Sequence, residues 1–291
     1  MKKNDILCTS WFDYPQWFEI GFENETKKEA DFFEKAFDRW CKFPVRKLLE
    51  PACGSGRIVV EMARRGYDVT GFDLSQPSLD LLRQKLKRRK LKAHVLKADM
   101  TNFRFPKRFD AACCTFNSFR ILTTETAARS HLQSVGAALR PGGLFFLGLH
   151  LAPPDAEPLG MERWVGQRGR THVTSTLRVI ASDEKRRVER LRINLLVRQY
   201  GRNGNGQDHP HTNGKSNGGK KNRTINGTPA TITRLRDEFD YRLYTAAQIR
   251  RLFKSVRQLE LVEVFDFWYD MSEPQKLDNE LCDALFVLRR R

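Results

Sequence analysis

The chain lacks any apolar run long enough to cross a bilayer. Its longest, Leu144–Leu151, falls far short of the ~20 residues a spanning helix needs. The opening segment Met1–Ser10 carries two lysines but no apolar stretch of secretory-signal length, so no secretory signal is expected there. CxxC pairs are absent as well. The 6 cysteines, Cys8, Cys41, Cys53, Cys113, Cys114 and Cys282, repeat no spacing. That pattern argues against a disulfide framework and against a zinc site; it predicts reduced thiols, a cytoplasmic protein and no bound metal. Acidic residues are in deficit, 35 Asp+Glu against 52 Lys+Arg, for a net charge of +17. Such a balance favours anionic partners and says nothing about fold. What the chain does have is 40% hydrophobic residues, enough for a sizeable core and too many for wholesale disorder. Its 291 residues allow one large domain or two small ones.

Three textures follow one another. Residues 1–44 form an aromatic-rich cap that ends in an amphipathic helix over Lys27–Trp40, where Ala30, Phe33, Phe37 and Trp40 share one face. Thr26 reads as its N-cap, with Glu29 completing a capping box. From residue 45 to 151 short apolar runs alternate with helical segments. Strands are predicted at Lys47–Glu50, Asp68–Phe72, Ala93–Ala98, Phe109–Cys114 and Gly143–Leu149, and helices at Arg57–Arg65, Pro77–Leu91 and Thr124–Leu139. That alternation implies parallel strands with right-handed crossovers. Residues 152–244 switch to two-residue alternation at Thr171–Ala181, Arg187–Arg198 and Thr231–Tyr244, the mark of half-exposed antiparallel strands. Within them, 201–230 is rich in Gly and Asn and poor in apolar side chains, and is expected to be a disordered loop. Residues 245–291 return to the α/β body with a helix at Ala246–Val256 and strands at Leu259–Phe265 and Cys282–Leu288, close enough to pair antiparallel.

The strongest local signal is Leu48-Leu49-Glu50-Pro51-Ala52-Cys53-Gly54-Ser55-Gly56-Arg57, an apolar strand turning through small residues into a helix. Glycines there let a ligand approach the backbone closely, and the helix N-terminus offers free N–H groups. A plain tight turn would look the same. The next strand, however, ends in Asp73, 17 residues beyond Gly56, where a carboxylate can accept hydrogen bonds from both hydroxyls of a ribose. A dinucleotide site would want a third glycine at Val59, and Glu50 would repel a pyrophosphate while suiting a cationic group. Cys53 reads as a packing residue of the turn rather than a nucleophile.

On these residues the sequence resembles the class I S-adenosylmethionine-dependent methyltransferases, in their small-molecule branch. Glu50–Gly56 is similar to the family's first motif and Gly71–Ser75 to its second; Lys97-Ala98-Asp99-Met100 is similar to its third. Phe109-Asp110 through Asn117-Ser118 resembles the fourth strand with its exit loop, and Leu139–Gly143 the turn before the fifth. The resemblance implies a Rossmann-like α/β fold with a seven-stranded, mostly parallel sheet, helices on both faces, an antiparallel last strand and a small antiparallel β insertion after strand five. It implies S-adenosylmethionine as donor, held by Glu50, Ala52, Cys53, Gly54, Gly56, Asp73, Leu74, Ser75, Asp99, Met100, Phe116 and Asn117, and a small-molecule acceptor methylated in line on O or N. On this reading 45–151 with 245–291 is the donor-binding core, and 152–244 is a lid.

Methyl transfer from a sulfonium needs alignment above all, and a base only where the acceptor is protonated. His150, at the end of the fifth strand, is the first candidate for that base, against a plain strand-end hydrogen bond. Tyr14, Trp17, Trp164 and Tyr244 are candidates for the acceptor wall, with core packing as the competing account. The basic stretches Lys85–Lys92 and Lys185–Arg198 raise a tRNA or rRNA methyltransferase as an alternative. Yet Thr115-Phe116-Asn117-Ser118 lacks the Asn/Asp-Pro-Pro-aromatic motif of amino-group DNA methyltransferases, and no RNA-binding module is recognisable. A non-catalytic S-adenosylmethionine-binding regulator is the alternative from another class, and an NAD dehydrogenase the remotest.

Overall fold

Apolar residues at strand and helix spacing take up the alternation expected of them. The computed structural model of the chain describes residues 6–22, 26–115, 117–153, 160–201 and 228–291. The N-terminal part holds β1 (Ile6–Cys8), a 3-10 turn at Trp11–Asp13, α1 (Pro15–Phe22) and α2 (Thr26–Trp40). The α/β body follows with β2 (Lys47–Pro51), α3 (Arg57–Arg64), β3 (Asp68–Asp73), α4 (Gln76–Arg89) and β4 (His94–Lys97). It continues through β5 (Phe109–Cys114), a 3-10 turn at Ser118–Ile121, α5 (Glu125–Ala138) and β6 (Leu139–His150). Four long strands come next: β7 (Glu162–Arg168), β8 (Thr171–Asp183), β9 (Val188–Gln199) and β10 (Thr231–Arg242). The chain then returns through α6 (Ala246–Lys254), β11 (Leu259–Phe265) and β12 (Asp283–Arg290).

Seven strands form the main sheet in the order β11-β12-β6-β5-β2-β3-β4. β2 through β6 run parallel, and β12 is antiparallel to both β6 and β11. Strand alternation sends Phe145, Leu147 and Leu149 of β6 to a core shared with α5 and α6. Leu144 and Phe146 go to a second core with Phe33 and Phe37 of α2, Ile58 and Met62 of α3, and Leu82 of α4. Helices therefore cover both faces. Side-chain caps start them where the sequence supplies a hydroxyl: Ser75 accepts from Ser78 N at 3.3 Å, and Thr245 forms a capping box with Gln248.

The second sheet runs β1-β10-β9-β8-β7. Its last four strands pair antiparallel, as the two-residue alternation predicts, but β1 adds parallel to β10 with Leu7 opposite Leu235. The N-terminal segment is thus stitched into the insertion's own sheet. Neither β1 nor β7 was legible as a strand, and β10 stops at Arg242, short of the expected Tyr244. A third core, Trp11, Val173, Ile193, Leu195, Val197 and Leu235, lies on this sheet. Most of the expected loop, residues 202–227, lies outside the described residues.

Two arginines fasten the sheets together. Arg120, in the turn after β5, donates to Arg242 O at 3.0 Å and pairs with Glu189 of β9. Arg242 in turn donates to Thr123 O at 2.5 Å and pairs with Glu125 of α5 at 2.8 Å. The capping box predicted for α2 does not form. Glu29 is fully buried and its carboxylate meets Arg57 of α3 at 2.5 Å. A long-range ion pair has displaced the local contact, because the cation arrives on a helix packed directly against α2.

Candidate active site

The carboxyl ends of β2, β3, β5 and β6 lie side by side along one edge of the main sheet, which is where open α/β sheets bind ligands. After β2 the backbone turns through left-handed conformations at Ala52 (φ 52°), Gly54 (φ 52°) and Gly56 (φ 74°). A side chain at Gly56 would drive its Cβ to 2.2 Å from Leu82 Cδ1, so the close packing of α4 over this turn relies on glycine. At Gly54 a Cβ would meet nothing within 4 Å; the space above that residue is open to a ligand.

Asp73 closes the turn from β3. Its Oδ2 accepts from Gly54 N and its Oδ1 from Ser75 N, both at 2.8 Å. Each oxygen keeps a lone pair for a hydroxyl donor. Leu74 beside it is 59% exposed, an apolar shelf at the same edge. Asp99 is exposed with Oδ1 accepting from Thr101 N at 2.7 Å, and Met100 next to it is buried. The Met100 carbonyl accepts from Nδ1 of His131 at 2.9 Å. Burial pulls His131 down to about 4, so it is a neutral support under the Asp99–Met100 loop. Nothing in the sequence pattern marked it.

Glu50 faces inward. It is 9% exposed among Phe33, Phe37, Ile58, Met62 and Phe146, and Oε2 accepts from Val59 N at 3.0 Å. Burial pushes its carboxyl up to about 8; Arg57 offsets part of that, and the charge of Glu29 adds to it. Cys53 is buried in the same core and its thiol is pushed well above its ordinary range, again by burial, so it packs the turn and is no nucleophile.

The N-terminal segment lies over this edge. Ser75 Oγ and Ser78 Oγ donate to Phe12 O at 3.0 and 3.3 Å. Lys85 of α4 donates to Ser55 O at 2.6 Å and pairs with Glu19 of α1, which Arg168 of β7 also reaches at 3.3 Å. Burial would raise the Glu19 carboxyl, but Lys85, with Ser55 and Arg168 adding to it, holds it below its ordinary value. Tyr14 and Trp17 stack at 4.6 Å, and both pack with Trp164 against the third core. Tyr244 is fully buried in the first core beside Phe119, so its ring is a packing residue and lines no opening.

At the other end of the edge, Asn117 (φ 69°) donates its N–H to Gly148 O at 3.2 Å and accepts from His150 N at 2.8 Å, tying the β5 exit to the end of β6. Phe116 lies outside the described residues. His150 Nδ1 sits 2.5 Å from Oδ1 of Asp283, the first residue of β12, a partner that no local pattern in the sequence marks.

The parallel sheet with a reversed β12, the glycine turn after β2 and the carboxylate ending β3 are the features the resemblance implied, and residues 48–143 match the family model described as a methyltransferase domain. The Bacillus subtilis protein YqeM is 31% identical over 127 residues, 42% of this chain and 51% of its own. A Streptomyces fradiae enzyme, dTDP-3-amino-3,6-dideoxy-alpha-D-glucopyranose N,N-dimethyltransferase, is 27% identical over 150 residues, 52% of this chain and 56% of its own. The chain thus spans about half the length of the curated relatives it matches. The crystal structure of Streptomyces venezuelae DesVI shares the fold, with a TM-score of 0.70 at 18% identity over 97% of this chain and 99% of that one.

Proposed function

We propose that the protein is a methyltransferase that uses S-adenosylmethionine to methylate a small-molecule acceptor. The observation that carries this reading is the open left-handed turn at Gly54, backed by the half-free carboxylate of Asp73. The residues fit such a donor. The backbone of 52–56 would cradle its amino-acid end, Asp73 would accept from the ribose hydroxyls, and Leu74, Asp99 and Met100 would flank the adenine. When bound, the donor supplies a methyl group on a sulfonium. The chain's task is to align the acceptor: Asn117 holds the β5–β6 edge in place, while α1 and β7, joined through Glu19, close the site from above. In domain terms, 1–44 and 152–244 cover the donor-binding core of 45–151 and 245–291. Six free cysteines accord with a cytoplasmic location.

An amino-sugar nucleotide such as the dTDP-linked 3-amino-3,6-dideoxyglucose in the S. fradiae enzyme's name is the acceptor class to try first. The RNA alternative loses support because outward arginines of β9 are matched in the sheet itself, Arg190 with Asp240 at 2.8 Å and Arg192 with Glu238 at 2.7 Å. Calorimetric titration with S-adenosylhomocysteine, with NAD in parallel, tests the donor. Micromolar binding of the former alone is expected. Asp73→Ala should weaken it roughly 100-fold or more, since two hydrogen bonds to a charged group are each worth about 1.5–3 kcal/mol. No binding by folded, ligand-free wild type would overturn the reading.

A further inference from the structure

We propose that Asp283 and His150 form a proton-accepting dyad for an amine, so that the atom methylated is a nitrogen that arrives as an ammonium. The proposal rests on the methyltransferase reading above and deepens it.

Asp283 and His150 are antiparallel partners in the β12–β6 register, so their side chains leave the sheet on the same face. The contact between Nδ1 and Oδ1 is 2.5 Å. An ionised carboxylate only accepts, so the proton between them belongs to Nδ1, and a neutral ring then carries its lone pair on Nε2. Phe267 packs against the ring at 5.3 Å and 71°, and the backbone N–H of His150 donates to Asn117 Oδ1, which holds the main chain that carries the ring. Among the described residues no side chain or carbonyl is bonded to Nε2. The side chains of His150 and Asp283 are 43% and 51% exposed, so this is an accessible pair and not a buried structural one. From the glycine turn after β2 the dyad is two strands along the edge, across β5, or about 10 Å at the usual strand spacing.

Geometry of this kind suits one class of acceptor. An aliphatic hydroxyl is too weak an acid for imidazole to deprotonate ahead of attack, and gives up its proton only in concert with bond formation. An α-amino-type ammonium, with a pKa of about 8, is not too weak. Nε2 takes a proton from R–NH3+, leaving R–NH2 and an imidazolium that Asp283 stabilises. The amine lone pair forms the N–C bond as the C–S bond breaks, its electron pair going to sulfur, which leaves as the neutral thioether. The methylated nitrogen carries the positive charge, and the imidazolium returns its proton to solvent. In this scheme His150 is the catalytic residue and Asp283 a positioning residue.

The test uses the full chain with S-adenosylhomocysteine, 15N-labelled on histidine. Wild type should show His150 protonated on Nδ1 with a free Nε2. Asp283→Ala should move the proton to Nε2, the form a free imidazole prefers in water. With the amino-sugar nucleotide named above and a peptide bearing a free N-terminal amine as acceptors, the same variant should lose about 10-fold or more in kcat, and His150→Ala about 100-fold. Affinity for S-adenosylhomocysteine should be unchanged in both. If Asp283→Ala does not fold, Asp283→Leu, of similar size and without an acceptor, gives the same readings. A wild-type ring protonated on Nε2, or a tautomer indifferent to Asp283, overturns the dyad. Wild type that binds S-adenosylhomocysteine and methylates neither amine overturns the nitrogen assignment. Failure to bind S-adenosylhomocysteine overturns the methyltransferase reading instead, and leaves the tautomer result to stand by itself.

Discussion

Replacing Glu50 by Gln isolates the electrostatic strain under the glycine turn. In the unfolded chain this carboxyl titrates at its ordinary 4.5, whereas in the folded protein burial moves it to about 8. Below pH 4.5 both states hold the proton and the stability Glu50 contributes is fully present. Between 4.5 and about 8 the unfolded state gives up its proton while the folded state keeps it, so stability falls as pH rises. Above that window both are ionised and the loss is complete. At about 1.4 kcal/mol per pH unit the gap is worth roughly 5 kcal/mol, comparable with the lower end of a domain's total stability of about 5–15 kcal/mol. Glutamine keeps the size and the oxygen that accepts from Val59 N, and it cannot ionise. Urea unfolding of the donor-free protein from pH 5 to pH 8.5 should therefore show wild type losing several kcal/mol that Glu50→Gln retains. All other titrating groups are common to both proteins and cancel in the difference. Curves that run parallel to within about 1 kcal/mol would refute the reasoning, because Glu50 would then have to ionise freely where it lies.

Two further substitutions probe the packing beneath the site. Gly56→Ala puts a Cβ at 2.2 Å from Leu82 Cδ1 on a φ of 74°, and should cost about 2–4 kcal/mol in urea unfolding. Adding Leu82→Ala relieves the contact but not the dihedral strain, so the double variant is expected to regain less than half of the contact penalty after its own cavity cost. Glu29→Gln leaves Arg57 without its buried carboxylate and should cost about 3 kcal/mol; a loss below 1 kcal/mol would mean that solvent reaches this pair.

Much of the body could be read directly, for a local reason. A glycine turn, a strand-end acid and alternating strands and helices are each written within about ten consecutive residues, and the sheet order of α/β folds follows from few topological rules. What stayed hidden depends on residues far apart. Glu29 sits three residues from Thr26, so its spacing spells a capping box, but its partner Arg57 comes 28 residues later on a helix that packs against it. β1 is three residues long, too short for any period, and finds its partner near residue 235. Asp283 becomes a neighbour of His150 only through the β12–β6 register, which no local pattern encodes. Tyr244 resembled a pocket residue because an aromatic ahead of a helix looks the same in either role; its burial beside Phe119 decides the matter.

The position of β12 has a consequence for how the protein comes into being. β6 acquires its second neighbour only when residues 283–290 slot between it and β11, and β1 cannot pair until β10 exists. During synthesis the glycine turn, Asp73 and His150 emerge well before the segments that complete their surroundings. Contacts of such long sequence separation form late and slowly. A growing chain therefore leaves β1 unpaired until β10 has emerged, and holds a bare β6 edge until residues 283–290 have left the ribosome. Over that interval, aggregation through the β6 edge competes with folding.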